Sequence, residues 1–133
     1  MSELLEAMLE GLYLNPLDPR ERVLLDSEGN PLAGVTLHHM HPDAWGHNYL
    51  HLEEIRGFVK GGARKLMEIL VARADQYGAT IGGTVKPLPA QAYGMKKMHK
   101  TKLKAWYRQF GFEPETRGVR YSDEMVRRPR VAG

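Results

Sequence analysis

Apolar residues recur along this chain with two different periods, and the switches between them mark out its elements. Leu4, Leu5, Met8, Leu9 and Leu12 lie on one helical stripe, with Gly11 as its end. Asn15-Pro-Leu-Asp-Pro then breaks the chain. Residues 22–26 and 32–40 predict a β-hairpin, with Glu28-Gly29-Asn30 supplying the bend. A loop over 41–46 and a strand over 48–55 follow. Ala63, Leu66, Met67, Leu70, Ala74 and Tyr77 repeat at three and four, which predicts a helix over 62–77 with Gly78 as its stop. Its outer face carries Arg64, Lys65, Glu68 and Asp75.

The second half continues in the same manner. Residues 79–85 predict a short strand, and Gly82-Gly83 inside it marks a close approach to the backbone. Residues 86–99 read as a long loop opened by Pro87 and Pro89. Leu103, Trp106, Tyr107 and Phe110 form a short amphipathic helix capped by Gly111. Residues 112–115 and 119–126 predict a last hairpin around Arg117-Gly118, and Arg127, Arg128 and Arg130 fall in a loose tail. Helix, hairpin, strand, helix, strand, helix and hairpin make an α/β (α+β) fold. Its sheet is mixed, partly parallel and twisted, with helices on both faces. The strand–helix–strand unit in the middle should be a right-handed crossover.

Length and composition narrow the class. The 133 residues predict one domain over 1–133. Hydrophobic residues at 42% and charged residues at 26% fit a globular chain, and no apolar run is long enough to span a bilayer. Glu3, Glu6 and Glu10 replace the basic flank of a signal peptide. The absence of cysteine fits a reducing cytoplasm. A net charge of +3 is short of a dedicated nucleic-acid binder, so nucleic acid and membrane are not the expected partners.

The chemistry is concentrated in two places. Gly61-Gly62-Ala63 follows a strand and opens a helix, so exposed amides there suit a phosphate or pyrophosphate. Later, Trp106-Tyr107-Arg108-Gln109-Phe110-Gly111-Phe112 ends a helix and presents a phenol. Spaced this way, residues 32–112 resemble the general N-acetyltransferase (GNAT) family. Gly61, Gly62 and Ala63 stand at the Gly-x-Gly/Ala positions of its pyrophosphate loop. Tyr107, Gly111 and Phe112 match its Tyr-x-x-x-Gly-Phe signature. Phe58 stands where that loop usually begins with Gln or Arg, and Lys100 where many members carry Asn.

The resemblance implies acetyl-CoA as co-substrate and direct attack of an amine on its thioester. Tyr107 is then the candidate acid for the leaving thiolate, against the plainer reading that it is core. Glu53 and Glu54 are the candidate bases, and alternation should send them to opposite faces. Backbone groups of residues 52–55, Leu52 and Ile55 included, would pair with the pantetheine arm. Lys60, Arg64 and Lys65 are candidate cations beside the phosphates held by Gly61, Gly62 and Ala63. The acceptor is an amine-bearing small molecule or protein. The N-terminus is short for the family, and a homodimer would complete the acceptor wall.

His38, His39, His41, His47 and His51 lack the cysteines or helical His-Glu spacing of a zinc site, so they read as surface or cleft side chains and no metal is expected. The five lysines between Met95 and Lys104 read as an electropositive rim or, more plainly, a solvated face. The rival to an enzyme is a protein that kept the fold and lost the chemistry, such as a phage virion or host-modulating component.

Overall fold

A computed structural model describes residues 2–40, 48–85, 100–115 and 123–130. Along them the chain forms α1 (Glu3–Met8), β1 (Tyr13–Asn15), β2 (Asp18–Leu25), β3 (Pro31–Met40), β4 (Asn48–Gly57), α2 (Gly62–Tyr77), β5 (Ala79–Thr84), α3 (Lys100–Arg108), β6 (Glu113–Pro114) and β7 (Glu124–Arg127). The strands make one sheet in the order β1-β2-β3-β4-β5-β7-β6. Only β4 and β5 are parallel, joined by α2 as the crossover predicted from the sequence. The expected mixed, partly parallel sheet is therefore present. The loops over 41–46 and 86–99, His41, His47, and the Arg117-Gly118 bend lie outside the described residues.

α2 shows how sequence becomes packing. Leu66, Met67, Leu70 and Ala74 are buried, while Tyr77, expected to face inward, is half-exposed at the helix end. Gly78 stops the helix at φ 65°, and its amide donates to the Ala74 carbonyl. α1, capped by the Ser2 hydroxyl, packs against α2 and β3. Leu103, Trp106 and Tyr107 of α3 pack against the same core, with Phe110 and Phe112 inside it. Among the described residues, all three helices feed this one core.

The sheet starts earlier than the sequence pattern indicates. Asn15-Pro-Leu-Asp-Pro is a tight turn between two strands: the Asn15 side chain accepts from the Leu17 amide, and Asn15 pairs with Asp18. The polar Asp18-Pro-Arg-Glu run hides a strand because its alternation ends on a charge. Glu21 is 1% exposed. Its carboxylate takes both forks of Arg56, at 2.5 and 2.7 Å, and the Asn15 amide at 2.8 Å. Gly34 makes room for it, since a Cβ there would lie 2.5 Å from Glu21 Oε2.

A buried arginine corrects the reading of the C-terminal residues as a loose tail. Arg127 is 3% exposed and donates to the Phe110 carbonyl at 2.6 Å and to Asp75 at 2.8 and 3.0 Å. The Arg130 amide donates to Asp75 as well. Asp75, expected to face water, thus ties α2 to β7 and to the end of α3. Arg127 beside it holds its carboxyl below the usual range. A depressed carboxyl contributes stability above its unfolded value and loses it as pH falls through the folded one. Melting temperatures should accordingly drop more steeply below about pH 4 in the wild type than in Asp75→Asn, which lacks the titrating group. Parallel curves across that range would sink this assignment.

Candidate active site

The site grows from an irregularity in β4. Thr36 pairs with Glu54 and Leu37 with Leu52, so Glu53 is an extra residue opposite β3. Leu50 and Leu52 before this bulge, and Ile55 and Gly57 after it, all turn toward the helices. Glu53 and Glu54 both turn the other way. Their expected placement on opposite faces is wrong, because a bulge breaks the two-residue period on which it rested.

The two carboxylates nevertheless have different surroundings. Glu54, across from Thr36, adds its negative charge to the field on Arg56. Glu53 Oε2 lies 2.7 Å from His38 Nε2 on β3. That hydrogen bond holds the Glu53 carboxyl below its usual range. His38 and His51 stack with their ring centroids 6.4 Å apart. With Met40, Leu52 and Thr84 these residues line a cavity of about 400 Å³. Thr84 Oγ1 in turn bonds Glu124 at 3.0 Å. The sequence reading placed these histidines at the surface or in a cleft, and missed that β3 and β4 bring one of them onto Glu53. Alternation along β4, which sets His51 and Glu53 on one face, was the available signal.

Beside this cavity β4 and β5 part. Their pairing runs from Asn48↔Ala79 to His51↔Gly82, and beyond it β4 pairs only with β3 among the described strands. The two glycines of β5 meet protein groups: the Tyr49 hydroxyl lies over Gly82, and the Leu52 carbonyl lies 2.4 Å from where a Gly83 Cβ would be. The free edge of β4 leads directly to α2. Gly61 enters that helix at φ 80° with no side-chain cap. The first-turn amides of Ala63 and Arg64 have no carbonyl one turn back to receive them. Gly62 is fixed by packing, since a Cβ would lie 1.9 Å from the Leu32 carbonyl, and its amide donates to Val59. Lys60 and Lys65 are exposed around this turn.

Arg64 ties the start of α2 to the end of α3. Its guanidinium donates to the Gln109 side chain and lies 5.2 Å from the Phe110 ring centroid. Tyr107, one turn earlier on α3, packs edge-on against Trp106 and Phe112. Burial pushes its phenol up to about 12. Its hydroxyl has no hydrogen-bond partner among the described residues, yet it is not sealed from solvent. The described residues gather no group of three His, Asp or Glu side chains suited to a metal ion. No described helix is long and apolar enough to cross a membrane.

No protein-family model matches the chain, and no curated protein does. Solved structures do match in shape. A GCN5 from Tetrahymena superimposes with TM-score 0.54 at 11% identity, covering 85% of this chain and 71% of that one. The GNAT-family N-acetyltransferase YhbS from Escherichia coli, solved with CoA, gives TM-score 0.53 at 16% identity. This chain spans 57% of its length, with 81% of this chain covered. A KacTA–DNA complex gives TM-score 0.51 at 16% identity, with 96% and 80% covered. At these identities the likeness is one of architecture: the chain has the GNAT acetyltransferase fold.

Proposed function

We propose that this protein transfers an acetyl group from acetyl-CoA to an amine by direct attack on the thioester. One observation carries the reading: β4 loses β5 after His51, and its free edge leads into the uncapped, open start of α2. Such an edge offers main-chain groups at Leu52 to Ile55 to the amides of a pantetheine arm. The amides of Gly61, Ala63 and Arg64, with Lys60 and Lys65 beside them, suit a pyrophosphate. The YhbS fold neighbour was solved with CoA, which supports the same ligand here. Tyr107 would donate its proton to the departing sulfur. The amine acceptor, a small molecule or a protein group, would enter from the cavity lined by Glu53.

The reading stands or falls on cofactor binding. Titrating acetyl-CoA should raise the melting temperature saturably, with dephospho-CoA giving a smaller shift. At one hundred times its dissociation constant a ligand stabilises by about 2.7 kcal/mol. In a domain of this size that is on the order of several degrees. No shift at millimolar acetyl-CoA would favour a protein that retains the fold for binding or assembly alone.

A further inference from the structure

We propose that His38 is the group that takes the proton from the acceptor amine, and that Glu53 positions it; this rests on the acetyl-transfer reading. A protonated amine cannot attack a carbonyl, so the acceptor must lose a proton inside the site. Glu53 lines the cavity, but its carboxylate is already engaged by His38 Nε2 at 2.7 Å. An ionised carboxylate only accepts, so the proton in that bond sits on Nε2. The lone pair is then on Nδ1, which meets no partner among the described residues. His51 lies beside the ring and nearly parallel to it, at an interplanar angle of 19° and 6.4 Å between centroids. The arrangement is that of a carboxylate setting the tautomer and direction of an imidazole, so that the other nitrogen works as a base.

The charges around His38 agree with this role. On β4 it faces Glu53 and His51, with Glu54 further along the strand. Arg20 of β2 adds its charge to the field on Glu53 and is paired with Asp18. From β5, Thr84 lines the same cavity, and its hydroxyl donates to Glu124 of β7. A cationic amine is drawn to such a rim, and the imidazolium formed there is stabilised by Glu53.

The reaction balances as follows. His38 Nδ1 takes one proton from the ammonium, and the neutral nitrogen attacks the thioester carbon. The C–N bond forms, the C–S bond breaks, and the sulfur takes a proton from the Tyr107 hydroxyl. The proton still in excess on nitrogen restores the phenol through water, and His38 returns its own to solvent. Products are the amide and CoA thiol.

The test is CoA release from acetyl-CoA with a polyamine, an aminoglycoside, a lysine peptide and a peptide with a free N-terminus. For any amine the wild type acetylates, His38→Ala should lower kcat by about 10²-fold or more. KM for acetyl-CoA should be unchanged, and added imidazole should restore part of the rate. Glu53→Gln should lower kcat with KM again unchanged, without rescue by imidazole. His38→Gln serves as the isosteric control for folding. If His38→Ala and His38→Gln turn over at the wild-type rate, this assignment falls while acetyl transfer stands. If the wild type acetylates none of the four, both fall together.

Discussion

Tyr107→Phe is expected to lower kcat for acetyl transfer by about 10²-fold, with acetyl-CoA binding intact. The ring makes the packing contacts with Trp106 and Phe112, and phenylalanine keeps them. Only the hydroxyl is lost. Burial raises its pKa from 10.0 to about 12, so the proton stays in place through the range, about pH 10, in which a lysine-type amine loses its own. An ordinary thiol has a pKa of about 8.5, so the phenol acts by hydrogen-bonding the sulfur as charge builds there, with full transfer late. The same shift has a stability signature of known sign. A phenol whose folded pKa is raised contributes stability below its unfolded value of 10.0, lost as pH climbs toward about 12. The phenylalanine variant should lose less melting temperature over that interval. A variant with wild-type kcat would remove Tyr107 from the chemistry and return it to the core.

Glu21→Ala should destabilise the fold by about 3–5 kcal/mol, because it takes from Arg56 the buried carboxylate that receives both its forks. Against a total of about 5–15 kcal/mol this is a large fraction, read as a melting point lower by roughly ten degrees or more. The carboxylate has no solvent to fall back on, and three donors converge on it from β1 and β4. Replacing both partners by apolar residues, as in Glu21→Leu with Arg56→Met, should recover much of the loss. Were the alanine variant to melt within a degree of wild type, the pair would be dispensable.

These two residues differ in how plainly the sequence announces them. The packed position of Tyr107 is legible, because it falls on the apolar stripe of α3 with Leu103 and Phe110, whereas the acid role given to it comes from the family resemblance. α2 is legible from end to end, since its stripe and its flanking glycines agree. Glu21 is not, because a buried acid reads as surface until its arginine is placed 35 positions away. Asp75 and Arg127 fail for the same reason: their partners are 52 residues apart, and each alone looks solvated. The glycines were legible as necessary but not in their purpose. Gly61 needs its left-handed φ, whereas Gly62 yields space to the Leu32 carbonyl and Gly82 to the Tyr49 phenol. For the site, the residues Glu53, His38 and His51 were visible one by one. Their meeting depends on the register that sets His38 opposite His51 across two strands, while the extra residue in β4 accounts only for Glu54 sharing the face of Glu53.

That extra residue also sets what β4 can tolerate. Before it the even-numbered Leu50 and Leu52 face the helices; after it the odd-numbered Ile55 and Gly57 do. Removing either Glu53 or Glu54 would therefore straighten β4 without turning any other side chain over, because Leu52, one glutamate and Ile55 then alternate as their pairing with β3 requires. The core and the Arg56–Glu21 pair would keep their places, and one carboxylate would stand on a face that now carries two. What the bulge adds is a second negative charge, and the strand could lose it without losing its phase.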